Sequence, residues 1–484
     1  MNLPFRRRLR ATSFFLLATQ LGSAMAAPVD PAAALPQVRD HAMASDWAWQ
    51  RLADMTDLIG PRLTGSDGAA AAVEQVAAAM RGLGARVTLQ PVIVPHWVRG
   101  EESAQLVDYA GRPAGISQRI VLTALGGSGA TPAAGLEAPL LVVHGLDELR
   151  ARAAEVKGSI VLIDTPFDQG MAAAGQPSPA YGPGSAVRTN GPALAASLGA
   201  AAALVRSVGS ANFRIAHAGA TRLDAAAPIP AAAVTVEDAL LIGRLAARGP
   251  LRMRLTLTPQ RLPDVQSYNV IADWPGSDLA DQLVIVSGHL DSWDLGTGAE
   301  DDGSAVAAAM GVIETMQRLH LKPRRTIRMV AWMNEEGASG AASAGVGGQT
   351  YFDALGGQTG RHFAAIESDS GSGRPFGMVG SVAPRAEALF ARLRTALQPI
   401  GAGLFQRRDA LRTGDLHRLE AAGVPSFMPL LDARTYFDYH HTAADTLDKV
   451  DPANLRRHVA VMAGSAWFLA NIDAAIGPAP APVE

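Results

Sequence analysis

Three short runs of unbroken apolar residues each pass directly into His or acidic residues. The runs are Leu283-Val284-Ile285-Val286, Met329-Val330-Ala331-Trp332-Met333 and Phe363-Ala364-Ala365-Ile366. Runs that are apolar on both faces suit strands covered by helices on both sides, so the chain is confined to a layered α/β architecture. Ser287-Gly288-His289-Leu290-Asp291 follows the first run, Asn334-Glu335-Glu336-Gly337 the second and Glu367-Ser368-Asp369-Ser370 the third. Open α/β sheets bind ligands outside the carboxyl ends of their strands, which is where these motifs fall.

Two further clusters complete the pattern: Gly298-Ala299-Glu300-Asp301-Asp302-Gly303-Ser304 and His441-Thr442-Ala443-Ala444-Asp445. His289, Asp301, Glu336, Asp369 and His441 are thus five residues of metal-binding type at the ends of separate segments. Two His and three carboxylates hold a pair of zinc ions if one carboxylate bridges them. Glu335 and Glu336 repel one another unless a cation neutralises them. One then binds the metal and the other is free to deprotonate an attacking water. A ligand His commonly donates its second ring N–H to a carboxylate, a role that fits Asp291 behind His289. His440 competes with His441 as a ligand, and Asp415 is a further acid near the site. Glu300-Asp301-Asp302 also suits a plain helix start, where the dipole favours acids. Gly296 and Gly298 lack the further glycine or lysine of a nucleotide loop. His320, His362, His417 and His458 read as surface or satisfied core histidines.

The chain has no cysteine, so thiolate sites and disulfides are excluded and any zinc is held by His and carboxylate. A net charge of −3, without a basic block past the N-terminus, gives no electrostatic case for nucleic acid. Residues 1–26 read as a signal peptide. Arg6, Arg7, Arg8 and Arg10 precede an uncharged stretch, and Ala24-Met25-Ala26 sets small residues before the cut. The expected mature protein is therefore periplasmic or secreted, without a stable membrane anchor. Its paired arginines leave the general and twin-Arg export routes open. Residues 27–125 read as the N-terminal part of a catalytic domain, with Ser66 capping a helix over 69–83 and a strand over 87–94. From 126 to 262, Gly and Pro punctuate short apolar runs and Ala-rich helices, with no cluster of His and acids. That stretch reads as an inserted α/β domain without a metal ligand. Residues 263–476 carry the zinc site, and 477–484 form an unstructured Pro-rich tail.

In this order and spacing the motifs resemble the co-catalytic di-zinc aminopeptidase and carboxypeptidase family, along nearly the whole mature chain. Ser287-Gly288-His289-Leu290-Asp291-Ser292-Trp293-Asp294 is the most specific stretch, with Pro95-His96-Trp97-Val98-Arg99-Gly100 before it. Arg206-Ser207-Val208 and Thr235-Val236-Glu237-Asp238 resemble the protease-associated domain inserted in some members. The resemblance implies a mixed-sheet zinc peptidase domain with helices on both faces, interrupted by that insert, with two Zn2+ per chain. By motif position the bridging carboxylate falls on Asp301, within Gly-Ala-x-Asp. One zinc would take His289, Asp301 and Asp369, and the other Asp301, Glu336 and His441. Glu335 falls on the general base and Asp291 on the acid behind the His. The family pattern of His, Ser or Thr, two residues and Asp selects His441 over His440. Two departures bear on substrate choice: Asn334 replaces other small or polar residues, and Ala443-Ala444 lacks the additional His of some members. The implied substrates are dipeptides or short peptides with free termini, and a homodimer is implied. The alternatives are an aminopeptidase on longer peptides and a single-zinc glutaminyl cyclase-like transferase.

Overall fold

The apolar runs become neighbouring strands of one sheet. A computed structural model of the chain describes residue 1, residue 30, residues 32–411 and residues 413–477. Residues 2–26 of the expected signal peptide, and residues 478–484 of the expected tail, lie outside the described residues. The strands of the main sheet are β1 (Arg86–Val98), β2 (Gln260–Trp274), β3 (Leu279–His289), β4 (Arg325–Trp332), β5 (His362–Glu367), β6 (Pro375–Ser381), β7 (Leu404–Arg407) and β8 (Ser426–Leu431). Their order is β1-β2-β4-β3-β5-β8-β6-β7. β3 is parallel to both β4 and β5, with His289 level with Trp332 and Ser287 level with Glu367. The segments after these three strands therefore emerge at one edge of the sheet. β1 and β2 are antiparallel, as are β2 and β4.

Period-2 alternation explains why these strands carry no polar face. Val284, Val286, Met329 and Ala331 join one buried cluster, whereas Ile285, Val330 and Trp332 join another. The first face is covered by α1 (Leu35–Ala44), α2 (Asp67–Gly82), α3 (Ser304–Arg318) and α6 (Pro452–Asn471). The second is covered by α4 (Val346–Ala354) and α5 (His417–Ala421). α2 begins as the sequence predicts: Ser66 accepts a hydrogen bond from the Ala69 amide. The segment past it turns at Gly84, whose φ of +84° is open to glycine without strain. α3 is buried along most of its length between the sheet and α6, which fixes the Asp301-Asp302 turn that leads into it.

Between β1 and β2 the chain builds a second eight-stranded mixed sheet. Its strands run from Glu102–Asp108 to Leu251–Leu257, so they begin ahead of residue 126. The first and last of these strands pair with one another, which closes the excursion on itself. Val98 is the register partner of Gln260, so the second sheet hangs from the tip of the β1–β2 hairpin. Its core includes four residues from outside the insert: Leu63, Trp97, Trp293 and Ala338. No helix among the described residues is long and apolar enough to cross a membrane.

Candidate metal centre

His289 is the last residue of β3, Glu335 and Glu336 follow β4, and Asp369 follows β5. Asp301 enters α3 from the opposite direction and stands between two imidazoles. His289 Nε2 is 3.2 Å from Asp301 Oδ1, and His441 Nε2 is 3.2 Å from Asp301 Oδ2. His289 Nε2 is also 3.8 Å from Asp369 Oδ1, and His441 Nε2 is 2.8 Å from Glu336 Oε2. All five residues that the sequence marks as ligand types are thus in one cluster. His440 lies in it too, stacked on His441 with ring centroids 3.5 Å apart and Nε2 3.6 Å from Asp301 Oδ2. His441 touches two carboxylates, and His440 comes within ion-pair range of Asp301 alone. His362 is a satisfied core histidine, bonded to Tyr351 and the Thr359 carbonyl, whereas His458 is a core histidine bonded to Ser368 through Nε2 only. His417 is exposed and bonded to the Gly414 carbonyl.

The donor set fits zinc. It offers imidazole nitrogen and carboxylate oxygen without thiolate, as catalytic zinc sites do. Asp301 Oδ2 and Glu336 Oε1 are buried and accept no hydrogen bond, which leaves lone pairs aimed at the space between the side chains. The tautomers also suit metal ligation. His289 Nδ1 is 2.9 Å from the Asp291 carbonyl and His441 Nδ1 is 3.3 Å from the Ala218 carbonyl. A carbonyl only accepts, so each Nδ1 carries a proton, and once the ring is neutral its Nε2 presents the lone pair.

Asp291 does something other than the sequence suggests. Its main-chain carbonyl, not its carboxylate, receives the His289 ring N–H, and the carboxylate is 3.9 Å away. The carboxylate instead accepts the amides of Asn334, Glu335 and Glu336 at 2.8, 3.1 and 3.4 Å, and the Thr64 hydroxyl at 2.8 Å. One aspartate therefore ties the β3 end to the turn that carries both glutamates. Other supports also passed unread in sequence. Asp302 accepts the His289 amide, and Asp445 accepts the amides of Glu300 and Asp301 at 2.7 and 3.1 Å. Glu367 accepts the amides of Asp415 and Leu416, so Asp415 is bound to the frame of the site. Trp293 donates its indole N–H to Glu336 Oε2 at 2.7 Å. The His-x-x-x-Asp and Glu-x-Asp spacings are the available signal for Asp445 and Glu367. Nothing local marks a backbone contact such as that of Ala218.

Glu335 points into the gap beside Gly414, where a Cβ would lie 2.7 Å from its Oε1. Burial, and then the carboxylates of Asp369, Glu336 and Asp415, push the Glu335 carboxyl well above the usual range against the pull of His289. Burial likewise pushes Glu336 and Glu367 up to about 7, and Asp445 up to about 8. Burial opposes the charge on His289 and His441 as well, but their carboxylate neighbours hold both well above the ordinary imidazole range. Burial also acts to raise Asp301, yet His440, His289 and His441 hold it well below.

These directions set a pH dependence. Unfolded carboxylates ionise near pH ~4, so above that the unfolded chain has released protons that the folded carboxyls keep up to their raised values. His289 and His441 lose charge-dependent stability in the same direction as pH rises, while His217, His362, His440 and His458, held below the ordinary imidazole range by burial, act the other way but are fewer than the raised groups. The metal-free protein is therefore expected to melt lower at about pH 8 than at about pH 5. Zinc supplies the missing positive charge and should raise the melting temperature more at the higher pH. Thermal melts in chelator and in zinc at both values check this. Equal melting temperatures in chelator at the two values would contradict it.

Residues 269–466 match the sequence profile of Peptidase family M28. Carboxypeptidase Q from Bos taurus is 33% identical over 447 residues, covering 92% of this chain and 89% of the relative. Carboxypeptidase Q from Xenopus laevis is 34% identical over 92% of this chain and 90% of its own. The crystal structure of a peptidase M28 precursor from Shewanella amazonensis SB2B is 35% identical. It superposes with a TM-score of 0.86 and covers 93% of this chain and 99% of that one. A zinc aminopeptidase from Bacillus subtilis shares the fold at 19% identity, with a TM-score of 0.62 over 90% of this chain and 98% of its own.

Proposed function

The chain belongs to peptidase family M28 and is a zinc metallopeptidase, and on that premise we propose that it is an exported exopeptidase acting on dipeptides or short peptides with free termini. The observation that carries the site assignment is the seat of Asp301, one oxygen toward each imidazole at equal distance. On this reading Asp301 would be shared between two zinc ions, His289 and Asp369 would complete one site, and Glu336 and His441 would complete the other. Zinc bound there supplies a Lewis acid for the scissile carbonyl and acidifies water. Glu335 takes the proton of the attacking water at a carboxylate oxygen and passes it to the leaving amine nitrogen. Asp291 holds Glu335 in place through the backbone amide.

The free-terminus reading draws support from Arg188. This guanidinium is buried beside the His440–His441 loop and reaches the Tyr181 hydroxyl at 2.6 Å and the Ala218 carbonyl at 3.4 Å. Tyr181 in turn packs edge-on against His440. No carboxylate lies within ion-pair distance of Arg188 among the described residues, and its Nε has no partner. A buried cation without a counter-ion suits an anionic substrate group such as a terminal carboxylate. The inserted sheet, which begins ahead of residue 126 and ends at Leu257, is read as a protease-associated domain, and a homodimer is part of the same proposal on family likeness.

The test is a panel of dipeptides and tripeptides with each terminus free or blocked, run on zinc-loaded enzyme and again after chelation. Dipeptides with a free carboxylate should be cleaved, and amidation of that carboxylate should lower kcat/KM by about tenfold or more, the worth of a buried charged hydrogen bond. Preferential cleavage of long peptides with blocked C-termini would favour the aminopeptidase alternative. Amine-dependent cyclisation without hydrolysis would favour the transferase.

A further inference from the structure

Only one half of the metal cluster is held by the inserted sheet. The ring of Trp293 is buried in that sheet's hydrophobic core, yet its indole N–H reaches out of the core to Glu336 Oε2 at 2.7 Å. Trp293 also lies against His441, with ring centroids 5.5 Å apart. Ala218, on a strip of the insert, grips His441 from the other side with both of its backbone polar groups. Its N–H donates to the His441 carbonyl at 2.8 Å, and its own carbonyl accepts the ring Nδ1–H at 3.3 Å. The same strip bonds through the Thr221 carbonyl to the Ala341 amide, on the loop that follows Glu336. Among the described residues no hydrogen bond or ion pair joins the insert to His289 or Asp369.

His441 needs such a hold. Its φ of +61° is the left-handed conformation that side chains other than glycine disfavour, and it persists only where the surroundings fix it. Ala218 engages His441 at two points in this state, the main-chain carbonyl and the ring Nδ1–H. Trp293 fixes one Glu336 oxygen and so the direction of the other. Partners of this kind, one bond removed from a metal, typically carry about 10- to 100-fold in metal affinity.

We infer that the inserted sheet organises the second zinc site selectively, with Trp293 and the Ala218 strip as positioning elements for Glu336 and His441. The first site, at His289 and Asp369, forms independently of it. Losing the insert's grip therefore gives a one-zinc protein rather than an apo protein. The inference rests on the ligand assignment proposed above.

The experiment titrates zinc into chelator-stripped protein against a competing metallochromic chelator, which resolves the two binding steps without any activity measurement. Trp293→Phe keeps the aromatic ring in the insert core and removes the donor. Gly219→Ala disturbs the strip from within, because its Cβ would meet the Arg188 guanidinium at 2.3 Å. In each variant the step that His441→Ala abolishes should fall by about tenfold or more while the other step stays at its wild-type value. Retention of that other step also reports that the fold survives. Unchanged affinities in both variants, or equal loss at both steps, would overturn the inference. His441→Ala run alongside keeps it apart from the ligand assignment. If that variant still binds two zinc ions, the assignment is wrong. If it loses one while Trp293→Phe and Gly219→Ala keep wild-type affinities, only the role of the insert is wrong.

Discussion

Glu335→Gln is expected to keep both zinc ions and the fold while kcat falls by about 10² to 10⁴, the usual worth of a general base. An amide nitrogen cannot accept the proton of the attacking water, yet the side chain still fills the space under Gly414. The Glu335 backbone amide still reaches Asp291. Glu336→Gln, one residue on, should behave differently. Its carboxylate faces His441 Nε2 at 2.8 Å and takes the Trp293 N–H, so the substitution weakens a ligand rather than a base. Added zinc should recover part of its activity, whereas none should return in Glu335→Gln. Zinc analysis beside steady-state kinetics decides between the two roles. They are misassigned if Glu335→Gln loses zinc and Glu336→Gln stays fully loaded.

Asp301→Asn should be the most damaging single change in the cluster. Wild-type protein should hold about two zinc ions per chain, and the variant should hold at most about one even in excess zinc. A carboxylate can bind a cation through each oxygen, but an amide has one poor oxygen ligand and an N–H2 that faces the second imidazole. The fold should persist, because the Asp301 main chain is anchored from Asp445 and the following helix is buried. Peptidase activity should fall below that of Glu336→Gln and resist added zinc. Two zinc ions bound at wild-type affinity by Asp301→Asn would remove that residue from the bridging position.

Much of this was legible in the chain because strand and site coincide. A strand such as Val284-Ile285-Val286, buried on both faces, announces itself by the absence of polar residues. Its exit into His289 marks the end of a strand where a ligand can sit. The three strands are mutually parallel, so the acids after them had to meet. What stayed hidden was mostly carried by the main chain. The Asp291 carboxylate looked like a partner for His289 because the two are adjacent, but the ring turns to a carbonyl and the carboxylate turns to three amides. Backbone donors and acceptors have no residue identity, so no pattern of letters reveals them. Long-range placement was hidden for another reason. Trp293 is one residue of a motif near His289, and only the stacking of two sheets shows that its ring belongs to the core of the other. The strands between Glu102 and Ile120 were likewise unmarked. Glu102–Asp108 joins the second sheet by pairing with Leu251–Leu257, a partner far along the chain, and Gln118–Ile120 pairs with Glu102–Asp108 in turn.

The pairing of Val98 with Gln260 has a consequence for how such a chain can diversify. An excursion of any size that begins and ends on two facing residues of a hairpin leaves the register of both strands unchanged. Its closure cost grows only slowly with its length. Whole layers can be gained, exchanged or enlarged at that tip while the helices packed on the main sheet keep their places. The constraint falls instead on the few atoms where the layer meets the catalytic edge. A replacement layer would have to seat an indole and supply a peptide group at the right spot, and would otherwise be free in sequence. That freedom lets one hydrolytic core acquire new walls around its cleft without relearning how to fold.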